Sequence, residues 1–152
     1  MKQKKKNDKE KLYIAYGSNL NLKQMAHRCP TAKVVGTAML HNWRLAFYSV
    51  ATVERYRGGK VPVLVWKITP QDERALDRYE GYPHLYRKET LRITVNGKRV
   101  YAMIYVMNVK NLHYSLPDGS YLETIHQGYL DADFDREILL EAVEASRGEE
   151  QE

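Results

Sequence analysis

Glu80 stands between Tyr79 and Gly81, where a helical pattern meets a glycine. A carboxylate among aromatic rings, near the partial negative end of a helix, has its charged form disfavoured twice, which is one physical way to make a proton acceptor of suitable strength. A solvated glutamate at a helix end is the plainer reading of the same residues. The second chemical feature is Tyr16-Gly17-Ser18-Asn19-Leu20, where a β-prone run stops at a glycine. Glycine lets the backbone approach a ligand closely, and successive N–H groups after it can face an anion or a developing oxyanion; an ordinary turn has the same composition. Ser18 has no histidine beside it in sequence, so a nucleophile–base pair finds little support. His27 and Cys29 offer at most two metal ligands, and none of the five histidines forms the i,i+4 pair of a helical metal site. GxGxxG, Walker A, HExxH and GxSxG are all missing, which removes sequence support for dinucleotide, nucleoside-triphosphate, zincin and standard hydrolase chemistry.

These residues need elements to hold them. "LYIAY" at 12–16 reads as a first strand cut at Gly17, and Asn19 or Asn21 can cap a short helix through "LKQMAHR". "KVVGTAML", "WRLAFYSV" and "KVPVLVWKI" read as further strands separated by polar or glycine-containing stretches such as "RYRGGK". Pro62 lacks the N–H of an interior ladder and belongs at an edge, a bulge or just before regular pairing. Thr69 as cap, Pro70 in the first turn, Asp72 and Glu73 at the positive end and Gly81 as the stop mark a helix with Ala75, Leu76 and Tyr79 as its inward stripe. "LYRKETLRITV", Asn96-Gly97 and "KRVYAMIYVM" spell a hairpin with a type I′ turn; closing it at Val95 and Lys98 sets Ile93 opposite Val100 and Leu91 opposite Ala102. Ser120 and Glu123 have capping-box spacing for a helix containing Tyr121, Leu122, Ile125 and Tyr129. An amphipathic segment over 135–145 then presents Ile138, Leu139, Leu140 and Val143. Several strands with a few helices between and after them predict an α+β domain on a closed or strongly curved sheet.

The 152 residues suit one domain, and 43% hydrophobic with 28% charged residues argue against a largely disordered chain. One cysteine excludes an intramolecular disulfide and fits a reducing compartment. The net charge of +5 is unevenly spread. Residues 1–11 hold six Lys against Asp8 and Glu10, residues 12–130 hold sixteen basic against eight acidic residues, and residues 131–152 hold nine acids against Arg136 and Arg147. The Lys-rich start lacks interleaved aromatics and reads as a solvated tail, not a nucleic-acid arm. It is not followed by the apolar run of a secretory signal, and no stretch approaches the roughly 20 apolar residues that span a bilayer, so a cytoplasmic chain without a membrane partner is expected. The expected division is a tail at 1–11, a single domain at 12–145 and an acidic tail at 146–152.

"YGSNL" at 16–20 after the first strand, "VPVLVWKI" just before the acidic helix and "LDRYEGYPHLYRKE" at 76–89 resemble the γ-glutamyl cyclotransferase-like, or AIG2-like, family over residues 12 to about 130. The resemblance implies a mixed, barrel-like β-sheet with flanking helices and a single cavity for a γ-glutamyl group. Family enzymes cyclise that group to 5-oxoproline and release the attached amine, without metal or organic cofactor. It further implies Glu80 as the catalytic carboxylate, Tyr16, Gly17, Ser18, Asn19 and Leu20 as the substrate loop, and Tyr86 and Tyr121 as aromatic residues of the pocket. The partner so implied is a small-molecule γ-glutamyl substrate, with no nucleic acid, and the chain acting as monomer or homodimer. A basic rim would attract the substrate's α-carboxylate, and Arg44, Arg78 and Arg87 are the arginines to place at that rim or on ordinary surface. The segments around 51–60 and 110–119 would shape the leaving side. A non-catalytic γ-glutamyl or small-anion binding module is the alternative reading.

Overall fold

The computed structural model of the protein describes residues 10–150, and side chains through residue 147; most of the Lys-rich segment 1–11 therefore lies outside the described residues. In chain order the elements are β1 (Lys11–Ala15), a 3-10 turn (Ser18–Leu20), α1 (Leu22–Arg28), β2 (Lys33–Tyr48), β3 (Val50–Ile68), α2 (Pro70–Glu80), β4 (Tyr86–Val95), β5 (Lys98–Met107), α3 (Gly119–Asp131) and α4 (Arg136–Glu150). The strands form one sheet in the order β2-β3-β1-β5-β4. β1 pairs antiparallel with β3 and parallel with β5, so the sheet is mixed as expected, with β1 at its centre. Its two edges approach one another: Asn96 Nδ2 at the β4–β5 tip donates to Val35 O near the start of β2, at 3.0 Å. β2 and β4 touch without forming a ladder, so the sheet is strongly curved and barrel-like but open.

The outer strands are longer than the sequence suggests. "KVVGTAML" and "WRLAFYSV" are not two strands: residues 33–48 run as the single strand β2. Its register against β3 shifts between His41 and Trp43, where Asn42 takes φ 69°. His41 faces Lys60 and Trp43 faces Arg55, so residues 56–59 bulge out within β3 instead of separating two strands. Gly58 takes φ 82°, and a Cβ on Gly59 would lie 2.3 Å from Trp43 O, so glycine is what lets the bulge close. Pro62 pairs with Met39 of β2, while β1 ends at Ala15, opposite Leu64; beyond that point β3 no longer has β1 beside it, and the missing N–H breaks no ladder there.

Local chemistry fixes the remaining boundaries. The Thr69 side chain accepts from Asp72 N and the Asp72 carboxylate accepts from Thr69 N, while Gly81 ends α2 at φ 64°. Leu76 is fully buried, but Tyr79 is 42% exposed, so the inward stripe of α2 is narrower than predicted. The β4–β5 hairpin has the predicted register, Val95 opposite Lys98 and Ile93 opposite Val100, with Asn96 and Gly97 at φ 53° and 76°. α3 starts two residues earlier than expected: Asp118 accepts from Ser120 N at 2.8 Å, and the Ser120–Glu123 box does not form. α4 continues past residue 145, burying Leu139, Ala142 and Ser146 on one side, whereas Leu140 faces out. Burial of Ile14, Phe47, Val63, Ile104, Ile125 and Leu139 builds one core between the sheet and α3 and α4.

Candidate active site

β1 ends at the middle of the sheet, and the chain turns there at once. Leu20 N donates to Gly17 O and Asn21 N to Ser18 O, each at 3.0 Å, closing the 3-10 turn. The N–H groups of Ser18 and Asn19 lie ahead of those bonds and are not used by the turn. Asn21, not Asn19, caps α1 by accepting from Gln24 N. Asn19 instead holds the turn in place: its carbonyl accepts from Trp66 Nε1 at 3.2 Å and its Nδ2 donates to Tyr13 Oη at 2.9 Å. Leu20 is fully buried beneath the turn, and α3 packs on it through Gly128, where a Cβ would lie 2.6 Å from Leu20 Cβ.

A small, partly open cleft lies above this turn. Tyr13, Tyr16 and the Gly17–Asn19 backbone supply one wall. Ala51 from β3, Glu80 from the end of α2, Tyr86 from β4, Tyr105 from β5 and Tyr121 from α3 complete it. Glu80, Tyr16, Gly17, Ser18, Asn19, Tyr86 and Tyr121 thus meet as expected, whereas Leu20 belongs to the core and does not reach the cleft. The tyrosines are fixed through the backbone. Tyr86 Oη donates to Ala51 O at 2.6 Å, Tyr121 Oη accepts from Ala51 N at 3.0 Å, and Tyr16 Oη donates to Tyr105 O at 2.7 Å. Ser115 brings the start of α3 to this position: its N–H donates to Phe47 O and its carbonyl accepts from Ser49 N, each at 3.1 Å.

Glu80 is partly exposed, and its carboxylate makes no hydrogen bond or ion pair with the other described residues. Burial raises its carboxyl to about 7, with the positive charge of Arg28 pulling the other way. Burial also lifts the phenols of Tyr13, Tyr16, Tyr86 and Tyr121 well above the ordinary tyrosine value, so they remain neutral hydrogen-bonding groups. The cleft therefore combines a carboxyl poised near neutrality with uncharged donors and two backbone N–H groups. Such a set can move a proton and stabilise a developing oxyanion.

Other sequence candidates lie elsewhere. Arg44 pairs with Glu54 and Tyr114, and Arg87 with Glu89 and the Met107 carbonyl. Arg78 is exposed, and none of the three lines the cleft. The cation beside the site is Arg28, at the end of α1, which the sequence did not single out. Ala51 belongs to the 51–60 segment expected to shape the leaving side, whereas Tyr13 and Tyr105 were not named as site residues; Tyr105 arrives only because β5 lies parallel to β1, a non-local pairing with no local signal. His27 is exposed while Cys29 is buried, its thiol pushed up to about 11 by burial and the nearby Asp72 charge. Ser18 Oγ shares a 2.8 Å hydrogen bond with Tyr79 Oη, a phenol that does not supply the imidazole a serine nucleophile would call for.

Comparison with known proteins gives the same direction. Residues 13–123 match the family model described as "Gamma-glutamyl cyclotransferase, AIG2-like". The chain is 28% identical over 131 residues to human gamma-glutamylcyclotransferase, covering 77% of this chain and 69% of the human protein. A solved structure of a gamma-glutamyl cyclotransferase superimposes with a TM-score of 0.75 at 25% identity, covering 91% of this chain and 86% of the other. The human protein LOC79017 superimposes with a TM-score of 0.76, also at 25% identity, covering 91% and 87% of the two chains.

Proposed function

Because the chain belongs to the γ-glutamyl cyclotransferase, AIG2-like family, we propose that it cyclises a γ-glutamyl group to 5-oxoproline and releases the attached amine, with Glu80 as general acid/base. The observation that carries this reading is the unpaired Glu80 carboxyl, raised to about 7, sharing one cleft with the Gly17–Asn19 turn. Ionised Glu80 takes a proton from the substrate's α-ammonium. The freed nitrogen attacks the γ-carbonyl carbon, forming the ring N–C bond and placing negative charge on the carbonyl oxygen. The Ser18 and Asn19 N–H groups are assigned to that oxygen, since donors fixed in advance stabilise charge without reorganising. The bond to the leaving nitrogen then breaks as Glu80 returns its proton there, and the second proton of the ring nitrogen ends on the released amine. The nucleophile and electrophile belong to one molecule, so the protein's main task is to hold the folded-back conformer, which explains how a small constellation suffices.

The tyrosine walls suit this task because they orient a polar chain without adding competing charge. No helix among the described residues is long and apolar enough to cross a membrane. The cytoplasm is the compartment proposed for the reaction, on the strength of the single free cysteine. Incubation with a panel of γ-glutamyl amines and γ-glutamyl amino acids, following 5-oxoproline, tests the reading. Release of 5-oxoproline from at least one member is expected. Saturable binding without release across the panel would favour a γ-glutamyl binding module instead.

A further inference from the structure

Arg28 touches the site by two routes that meet on the substrate loop. Its Nη1 donates to Asn19 Oδ1, and Asn19 in turn donates to Tyr13 Oη at the cleft wall. Its guanidinium also lies 3.4 Å from the centre of the Tyr79 ring, and Tyr79 Oη shares a hydrogen bond with Ser18 Oγ. Nη2 donates to Gln24 Oε1 at 2.8 Å, one helical turn back on α1, which fixes the plane of the fork. We propose that Arg28 is the positioning residue of this site: it clamps both ends of the Ser18–Asn19 dipeptide beside the cleft that holds Glu80.

The arrangement couples two functions in one side chain. Ser18 and Asn19 carry the N–H groups assigned to the oxyanion, so their orientation depends on side-chain tethers at both residues, and both tethers converge on Arg28. The titratable groups facing Glu80 are the phenols of Tyr13 and Tyr16 at the end of β1, Tyr86 of β4 and Tyr121 of α3, each kept neutral by burial. Arg28 is the cation acting on Glu80 against this neutral background, favouring its ionised, proton-accepting form. Lysine would keep the charge but lacks both the flat face that stacks on Tyr79 and the fork that reaches Asn19 and Gln24 together. Glutamine keeps a donor and loses the charge.

The role rests on the cyclisation proposed above, and its test separates the two. Carboxyl carbon NMR would follow the Glu80 titration in wild type, Arg28→Lys and Arg28→Gln, with 5-oxoproline release measured over the same pH range. In Arg28→Gln the Glu80 midpoint is expected to move upward, in the spectrum and in the pH profile alike. In Arg28→Lys it stays near the wild-type midpoint while kcat falls about tenfold or more, because the loop loses its clamp. An unmoved Glu80 midpoint in Arg28→Gln, or wild-type kcat in Arg28→Lys, would overturn the proposal. A merely structural arginine would lower the Tm of both variants and leave the midpoint in place, which also counts against it. Failure of wild type to release 5-oxoproline would refute the cyclisation, and the NMR titration would still decide whether Arg28 governs Glu80.

Discussion

A glutamate whose carboxyl rises from 4.5 to about 7 on folding makes stability depend on pH in a definite direction. Between those values the unfolded chain gives up its proton while the folded one keeps it, so folding weakens as pH rises. The loss is complete above about pH 7 and amounts to at most about 3 kcal/mol. Glu80→Gln is therefore expected to raise Tm at pH 8 and leave it nearly unchanged at pH 4, as scanning calorimetry would show. An equal change at both pH values would mean that Glu80 ionises normally. In the same window the rate should behave oppositely: kcat/KM rises with pH through about 7 as free Glu80 becomes a base. Tyr121→Phe removes the acceptor of the Ala51 N–H and should cost about 1–2 kcal/mol in a denaturant titration.

At the scale of elements, two left-handed glycines separate fold from site. Gly81 ends α2 directly after Glu80 at φ 64°, and an added Cβ would meet Leu85 Cβ at 3.3 Å; Gly97 sits at φ 76° in a turn with open space around it. Each glycine-to-alanine change should cost about 1 kcal/mol or more for the left-handed backbone. Gly81→Ala should in addition lower kcat by displacing the Glu80 side chain, whereas Gly97→Ala should leave kcat within about twofold. Equal kcat in the two variants would show that the αL stop does not aim the carboxylate. These glycines also explain what could be read in advance. The ends of α2 and the 95–98 turn follow from residues within one turn of each other, so their chemistry was legible. Residues 56–59 misled because a glycine pair at a bulge looks like a glycine pair between strands, and only pairing with β2 distinguishes them. Asp118 outcompetes Ser120 as the cap of α3, a choice between neighbouring capping residues that spacing alone does not make. In the site, Glu80 and Tyr16 to Asn19 announced themselves through their junctions with glycine. Leu20 shares their sequence motif but turns into the core beneath α3, and Arg28 and Tyr105 enter only through tertiary placement.

For the whole molecule, net charge has a narrower meaning than its total. The +5 combines basic residues 1–130 with an acidic segment from 131, and Arg44, Arg55 and Arg87 of the body are held in ion pairs with Glu54 and Glu89. Attraction of an anionic γ-glutamyl substrate is then a screened, long-range effect: kcat/KM should fall with added salt while kcat holds, and stopped-flow binding would show the change in the association rate. Because the cleft is built from residues 13 to 121, removing residues 1–9 should leave kcat within about twofold. One measurement bears most directly on the central claim: 5-oxoproline release at saturating γ-glutamyl substrate by wild type and by Glu80→Gln, both shown folded by their thermal transitions. Removal of a positioned proton-transfer group predicts a loss of about 10² to 10⁴-fold in kcat. A Glu80→Gln protein that keeps kcat within about twofold of wild type would contradict the account.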